Sequence, residues 1–157
     1  MLKETLSNRQ LQVMGLVGQG YSGAEIGAML GIEITTVKTH REEAYNHLGV
    51  NSSTQALLTL VNRGSLSLHR LVGGYNLHNF DDLTKREHVV AGTSILENGR
   101  YSAYKDLASV LVVDYLTVRS QYQDILEKAG VHRKDRVAVL YLAYQQKEMK
   151  YLPNSRI

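Results

Sequence analysis

Apolar residues recur along this chain at spacings of three and four, and strand-like alternation is scarce. The pattern predicts helices throughout. In TTVKTHREEAYNHLGV, residues 35–50, Val37, Ala44 and Leu48 fall at i, i+7 and i+11, one face of a helix. Gly49 supplies its stop. The opposite face carries Lys38, Thr39, Glu42 and Asn46. Taken alone, this mixed-charge face reads as solvated surface.

Three more helices are predicted around it. LSNRQ opens the first, with Ser7 as N-cap and Gln10 three residues on, a capping box. Val13, Leu16 and Val17 face inward, and the helix ends near Gly18 or Gly20. YSGAEIGAML opens the second, with Ser22 and Glu25 as another capping box. Its buried side is Ile26, Met29 and Leu30, and Gly31 ends it in the turn GIEI. STQALLTLVNRG is the fourth, with Ala56, Leu57 and Leu60 inward and Gly64 as stop. Residues 64–80 break the pattern. Gly73-Gly74 signals a turn or hinge, but the segment is too apolar for a solvated linker. Leu66, Leu68, Leu71 and Val72 are expected to pack on a neighbouring domain.

The pattern then returns. LTKRE at 83–87 echoes LSNRQ at 6–10, KDLASVLVV at 105–113 echoes AEIGAMLGI at 24–32, and TVRSQYQDILEKAGV at 117–131 echoes TVKTHREEAYNHLGV at 36–50. Val118, Ile125, Ala129 and Gly130 repeat Val37, Ala44, Leu48 and Gly49. The offset grows from 77 to 81, so four extra residues lie between Arg86 and Leu107. Four residues are close to one helical turn and could lengthen the first or second helix of the later set without turning its apolar face outward. Each repeat, of roughly 60 residues, suffices for a small helical domain.

Composition narrows the functional classes. The chain has 157 residues and no cysteine, so it has no disulfide framework and no thiolate metal site. The start, MLKETLSNRQ, lacks the pattern of a signal peptide, and no apolar run approaches a membrane span. A cytoplasmic location is the expectation. A net charge of +3 permits nucleic-acid binding without demanding it. Residues 1–76 carry 6 basic and 5 acidic side chains and residues 77–157 carry 12 and 10, so charge favours neither repeat. The ten tyrosines read as core edges and interfaces. No enzyme signature is found: GLVGQG at 15–20 is a helix end, the histidines lack metal spacing, and no serine sits in a nucleophile motif. No cofactor, metal or small-molecule ligand is expected.

L-S-x-R-Q, G-x-S-x-x-E-I-x-x-x-L-G-I, T-V-K-x-H, L-G-V and x-S-x-x-Q-A occur in that order over residues 6–61. This resembles the helix-turn-helix domain of the LuxR/GerE family of bacterial transcription regulators. Residues 83–145 are similar to the same domain but diverged: NGRYSAYKDLA replaces the G-x-S opening of helix two, Arg119 replaces Lys and Gln121 replaces His. The fold expected is all-α: two tandem four-helix LuxR-type domains, residues 1–64 and 81–157, joined by an apolar linker at 65–80.

The resemblance implies that the third helix enters the major groove of double-stranded DNA. Lys38, Thr39 and Glu42 would meet bases: Lys38 suits guanine O6 and N7, Thr39 a thymine methyl or polar edge, Glu42 a cytosine amino group. Thr35 and Thr36 would bond phosphates at the helix start, with Arg41 and Tyr45 as further phosphate contacts. In the second repeat Arg119, Ser120 and Gln123 would meet bases, and Thr117 and Tyr122 phosphates. His40, beside the buried stripe, is expected to pack and bond locally, and Arg9 and Arg86 to act structurally. Glu42 and Glu43 depart from the family, whose helix carries few acids here. They repel phosphates.

The resemblance further implies pairing through fourth helices. Gln55–Asn62 and Arg136–Gln145 would form a dimer-like unit within one chain, or pair with a second copy or another LuxR-type regulator. The usual receiver or ligand-binding domain is not seen ahead of the first helix. The function expected is a sequence-specific transcription regulator without a built-in sensor, associated with the nucleoid when bound. The alternative is a protein-interaction module, such as an antagonist of another LuxR-type regulator.

Overall fold

The computed structural model describes residues 5–95 and 104–150. Among them the chain is helical, with no strand. Four helices form the first group: α1 (Asn8–Gly18), α2 (Gly23–Leu30), α3 (Ile34–Leu48) and α4 (Ser53–Asn62). A one-turn helix, α5 (Leu68–Leu71), and a 3-10 turn (Leu77–Asp82) follow. Then come α6 (Lys85–Thr93), α7 (Tyr104–Leu111), α8 (Tyr115–Ala129) and α9 (Lys134–Lys150).

Local chemistry sets the helix ends. Ser7 and Gln10 form the expected capping box on α1, as do Ser22 and Glu25 on α2. The Ser22 backbone N–H donates to Glu25 at 2.9 Å, which holds that carboxyl below its usual range. A third box, Thr84 with Glu87, starts α6. Such caps stabilise a helix by about 1 kcal/mol each. Glu87 is itself buried, which opposes its charge, yet the Lys128 ammonium at 2.7 Å and the Thr84 backbone N–H outweigh burial and lower its pKa. Gly49 and Gly130 close α3 and α8 in the left-handed conformation, with φ of 70° and 74°. In both, the next residue's N–H reaches back: Val50 to the Tyr45 carbonyl, Val131 to that of Leu126.

α2 is followed by Gly31 at φ 69°, where a Cβ would meet nothing within 4 Å. α7 is followed by Val112 at φ 55°, the one non-glycine residue with positive φ among the described residues. A left-handed L-residue costs about 1–2 kcal/mol, more easily borne by Asn than by a β-branched side chain. Val112 is exposed, so its methyls offset little of that. Val112→Gly is expected to raise stability by about 0.5–1 kcal/mol, the relieved strain less glycine's greater freedom when unfolded. Chemical denaturation, comparing transition midpoints, checks this.

One continuous core runs through both helix groups. Val13, Met14, Val17, Ile26, Val37 and Ala44 fill the first group, and Val90, Leu107, Val118, Tyr122 and Ile125 the second. α4 packs against α9. Ala56, Leu57, Leu58 and Leu60 are all buried, so α4 keeps no free apolar face for a second chain. α4 and α9 thus meet within the chain.

The segment between the groups is also built in. Leu71 is buried, and Leu66, Leu68 and Val72 pack against the core. Leu71 accepts a 3.0 Å bond through its carbonyl from Nη2 of Arg136, a buried arginine on α9. The Arg136 guanidinium also lies 4.7 Å from the centre of the Tyr75 ring. Further on, Phe80 is buried against Tyr141 and Tyr144 of α9, with ring centres at 5.3 and 5.5 Å.

One other expectation changes. Met29 is 52% exposed: α2 spans only two turns, and the packing covers Ile26 rather than Met29. The expectation that four extra residues lengthen the first or second helix of the later set rests in part on residues outside those described. Residues 96–103, including most of the NGRYSAYKDLA opening, lie outside the described residues, as does Pro153.

Candidate nucleic-acid interface

α2, the turn at 31–33 and α3 form a helix-turn-helix unit. Its turn is tight. The Ile32 N–H donates to the Gly27 carbonyl at 2.9 Å, and a Cβ on Gly27 would come within 2.7 Å of the Ile32 oxygen. α1 packs across α3, and Val37 and Ala44 anchor α3 to the core. The rest of α3 is thereby turned outward.

Lys38, Thr39 and Glu42 are all exposed on α3, within about one turn of one another. Lys38 Nζ stands 4.0 Å from Glu42 Oε1, an i,i+4 pair in open solvent. Such a pair contributes little to stability, so both groups can turn to a ligand at small cost. The Thr39 hydroxyl donates to the Thr35 carbonyl at 3.0 Å. That bond occupies the hydroxyl proton, and it leaves the methyl as the apolar end of the side chain.

Thr35 and Thr36 are exposed at the start of α3. Glu33, the N-cap residue, makes no side-chain cap bond, and the first turn holds no acid. Backbone N–H groups there lack a side-chain acceptor, a setting that favours anions. Arg41 and Tyr45 are half-buried. Tyr45 packs against the core. His40 is half-buried beside Glu43, with Nδ1 to Oε1 at 3.8 Å, and Arg9 reaches Gln12 at 3.3 Å.

On α8, Thr117, Arg119, Ser120 and Gln123 are exposed. Tyr122 is not. It lies fully in the core, its ring centre 5.4 Å from that of Tyr104. This corrects the phosphate role expected of it: Val118, Tyr122, Ile125 and Ala129 form one buried stripe, and the tyrosine belongs to it. Two residues that sequence reasoning passed over stand at the α7–α8 turn. Val112 and Leu116 are exposed where an offset of 81 puts Gly31 and Thr35. Aligning the repeats position by position would have found both.

A compact bundle whose second and third helices meet at a short turn, with a polar outer face on the third, defines a helix-turn-helix domain. Residues 4–60 match the family described as bacterial regulatory proteins, luxR family, and this segment is a luxR-family domain. Over 57 residues the chain is 40% identical to the Putative HTH-type transcriptional regulator YhjB of Escherichia coli (strain K12), covering 36% of this chain and 28% of that protein. Over 52 residues it is 40% identical to the HTH-type transcriptional regulator MalT of Serratia proteamaculans (strain 568), covering 33% of this chain and 6% of that protein. The chain thus spans less than a third of either relative. No solved structure matches it. Among the described residues, no helix is long and apolar enough to cross a membrane.

Proposed function

We propose that this protein is a sequence-specific DNA-binding transcription regulator built from two tandem LuxR-type helix-turn-helix domains, with α3 as its principal reading helix. The observation that carries the reading is the outer face of α3. Lys38, Thr39 and Glu42 stand together in solvent on a helix of a luxR-family domain, above a first turn free of acids. α3 enters the major groove, Lys38 and Glu42 part to meet base edges, and Thr35 and Thr36 bond the flanking phosphates. The names of the two relatives, both HTH-type transcriptional regulators, support this role.

The tandem arrangement is supported by parallels between the helix groups. α3 and α8 both have 15 residues, both end at a left-handed glycine, and α1 and α6 start from capping boxes. The domains are residues 1–64 and 81–157, with 65–80 as a packed connection. The acids Glu42 and Glu43 favour the second reading, a protein-interaction module, because they repel phosphates.

Lys38→Ala separates these readings. On a DNA site selected from random sequence, the variant is expected to lose about 1–3 kcal/mol of affinity. Affinity of the parent should fall with salt at a slope of about −0.9 per phosphate contacted. Unchanged affinity would remove Lys38 from the interface. Failure to select any site would move the protein to the second reading.

A further inference from the structure

α3 and α8 present outer faces of the same layout and different chemistry. Both helices have 15 residues, no side-chain cap bond and no acid in the first turn. An offset of 81 sets Arg119 on Lys38, Ser120 on Thr39 and Gln123 on Glu42, and each of these residues is exposed. Val37 and Ala44 bury the inner side of α3, as Val118 and Ile125 bury that of α8. The two outer faces thus stand in the same register, each on its own helix group. Their chemistry differs in two places. Lys38 shares its charge with Glu42 at 4.0 Å, whereas Arg119 has the neutral Gln123 at the same spacing. Leu116 replaces Thr35, so α8 keeps only Thr117 of the two hydroxyls at the helix start.

We infer that the two helices read unlike half-sites, so that a single chain recognises a non-palindromic operator whose halves lie at one fixed spacing. The inference rests on the proposed DNA-binding function and makes Arg119 and Gln123 the specificity-determining residues of α8. A carboxylate only accepts hydrogen bonds, so Glu42 meets a cytosine amino group. An amide donates and accepts at once, so Gln123 pairs with adenine through N7 and N6. Arg119 forks onto guanine O6 and N7, where Lys38 offers a point charge. Identical helices would ask for identical halves. These ask for cytosine in one half and adenine at the matching position of the other. The fixed spacing follows from the join between the groups. α4 packs against α9, and one core runs through both groups. The Arg136 guanidinium, bonded to Leu71 and stacked on Tyr75, also lies against Gly20 of the first group. Packed cores do not stretch, so reading helices carried on one body cannot part to follow a longer spacer.

Selection of bound sites from random double-stranded DNA, with the intact chain, tests this. The expected product is a two-part site with unlike halves and a constant interval between them. Selection is then repeated with Gln123→Glu, which gives α8 the acid of α3. Gln123 is exposed, so the variant should keep the parent's helix content. At one position of one half its preference should pass from adenine to cytosine by about tenfold, with the other half unchanged. One base pair inserted between the halves should lower the parent's affinity by about tenfold or more, and inserting a full helical turn should not restore it. Two identical halves, a single short site, or halves at variable intervals would overturn the inference and leave the proposed function in place. So would a Gln123→Glu chain that selects the parent's site at every position. Failure of the parent to select any site would overturn the proposed function itself, and the inference with it.

Discussion

Arg136→Ala is expected to cost about 3 kcal/mol of folding stability, near 10 °C in Tm for a chain of this size. Arg136 is buried on α9 and donates to the Leu71 carbonyl at 3.0 Å. A hydrogen bond from a charged donor contributes roughly 1.5–3 kcal/mol, and stacking over the Tyr75 ring adds about 1 kcal/mol or more when desolvated. The first group lies against the same side chain, because a Cβ on Gly20 would sit 3.7 Å from Arg136 Nε and 3.2 Å from the Tyr75 hydroxyl. α9, the connecting segment and the α1–α2 turn therefore meet at one guanidinium. Thermal unfolding followed by circular dichroism measures the loss. Arg136→Met is the informative companion, since it refills volume without restoring the hydrogen bond. If methionine recovered nearly all the stability, packing alone would hold the join. A loss below about 1 kcal/mol for alanine would make Arg136 peripheral.

Phe80→Ala is expected to cost about 3–5 kcal/mol, the range for deleting a buried phenyl ring. It is the chain's one phenylalanine, and its ring meets Tyr141 edge-on, at 71° between planes. The turn that carries it also reaches the second group through polar contacts: Asn79 Nδ2 donates to the Ala129 carbonyl at 3.3 Å, Asp81 accepts from the Tyr144 hydroxyl at 3.0 Å, and His78 Nε2 lies 3.0 Å from Lys147 Nζ. Burial, followed by that bond to Asp81, pushes the Tyr144 phenol up to about 12. Loss of the Phe80 ring would open this cluster, so the near-ultraviolet tyrosine signal should weaken along with stability. Phe80→Leu should cost under about 1.5 kcal/mol if its volume is accommodated. An alanine variant within about 1 kcal/mol of the parent would show that the turn does not clamp the second group.

The helix boundaries were legible because their determinants are local. Ser7 with Gln10, Ser22 with Glu25, and the glycines 31 and 49 act on backbone groups within four residues. The outward face of α3 was legible too, because Val37 and Ala44 alone define which side is buried. Tyr122 was misjudged because its neighbours in the repeat were weighed above its own place in the stripe from Val118 to Ala129. Met29 went wrong because a two-turn helix shows period without saying how much of its face a neighbour covers. Arg136 and Phe80 carried no local signal at all. Their importance comes from partners 65 and 61 residues away, Leu71 and Tyr141, and no window along the chain contains both ends of either contact.

The contact between α4 and α9 bears on how such a protein would answer to its own quantity. When two separate chains must meet before a unit is complete, the number of complete units rises as the square of a scarce supply. Here both helices are tethered to one backbone, so their pairing is an intramolecular equilibrium with a fixed effective concentration. Dilution does not separate them. Each molecule carries its α4–α9 pair from the moment it folds, and the yield of that unit is linear in synthesis, even at a few molecules per cell.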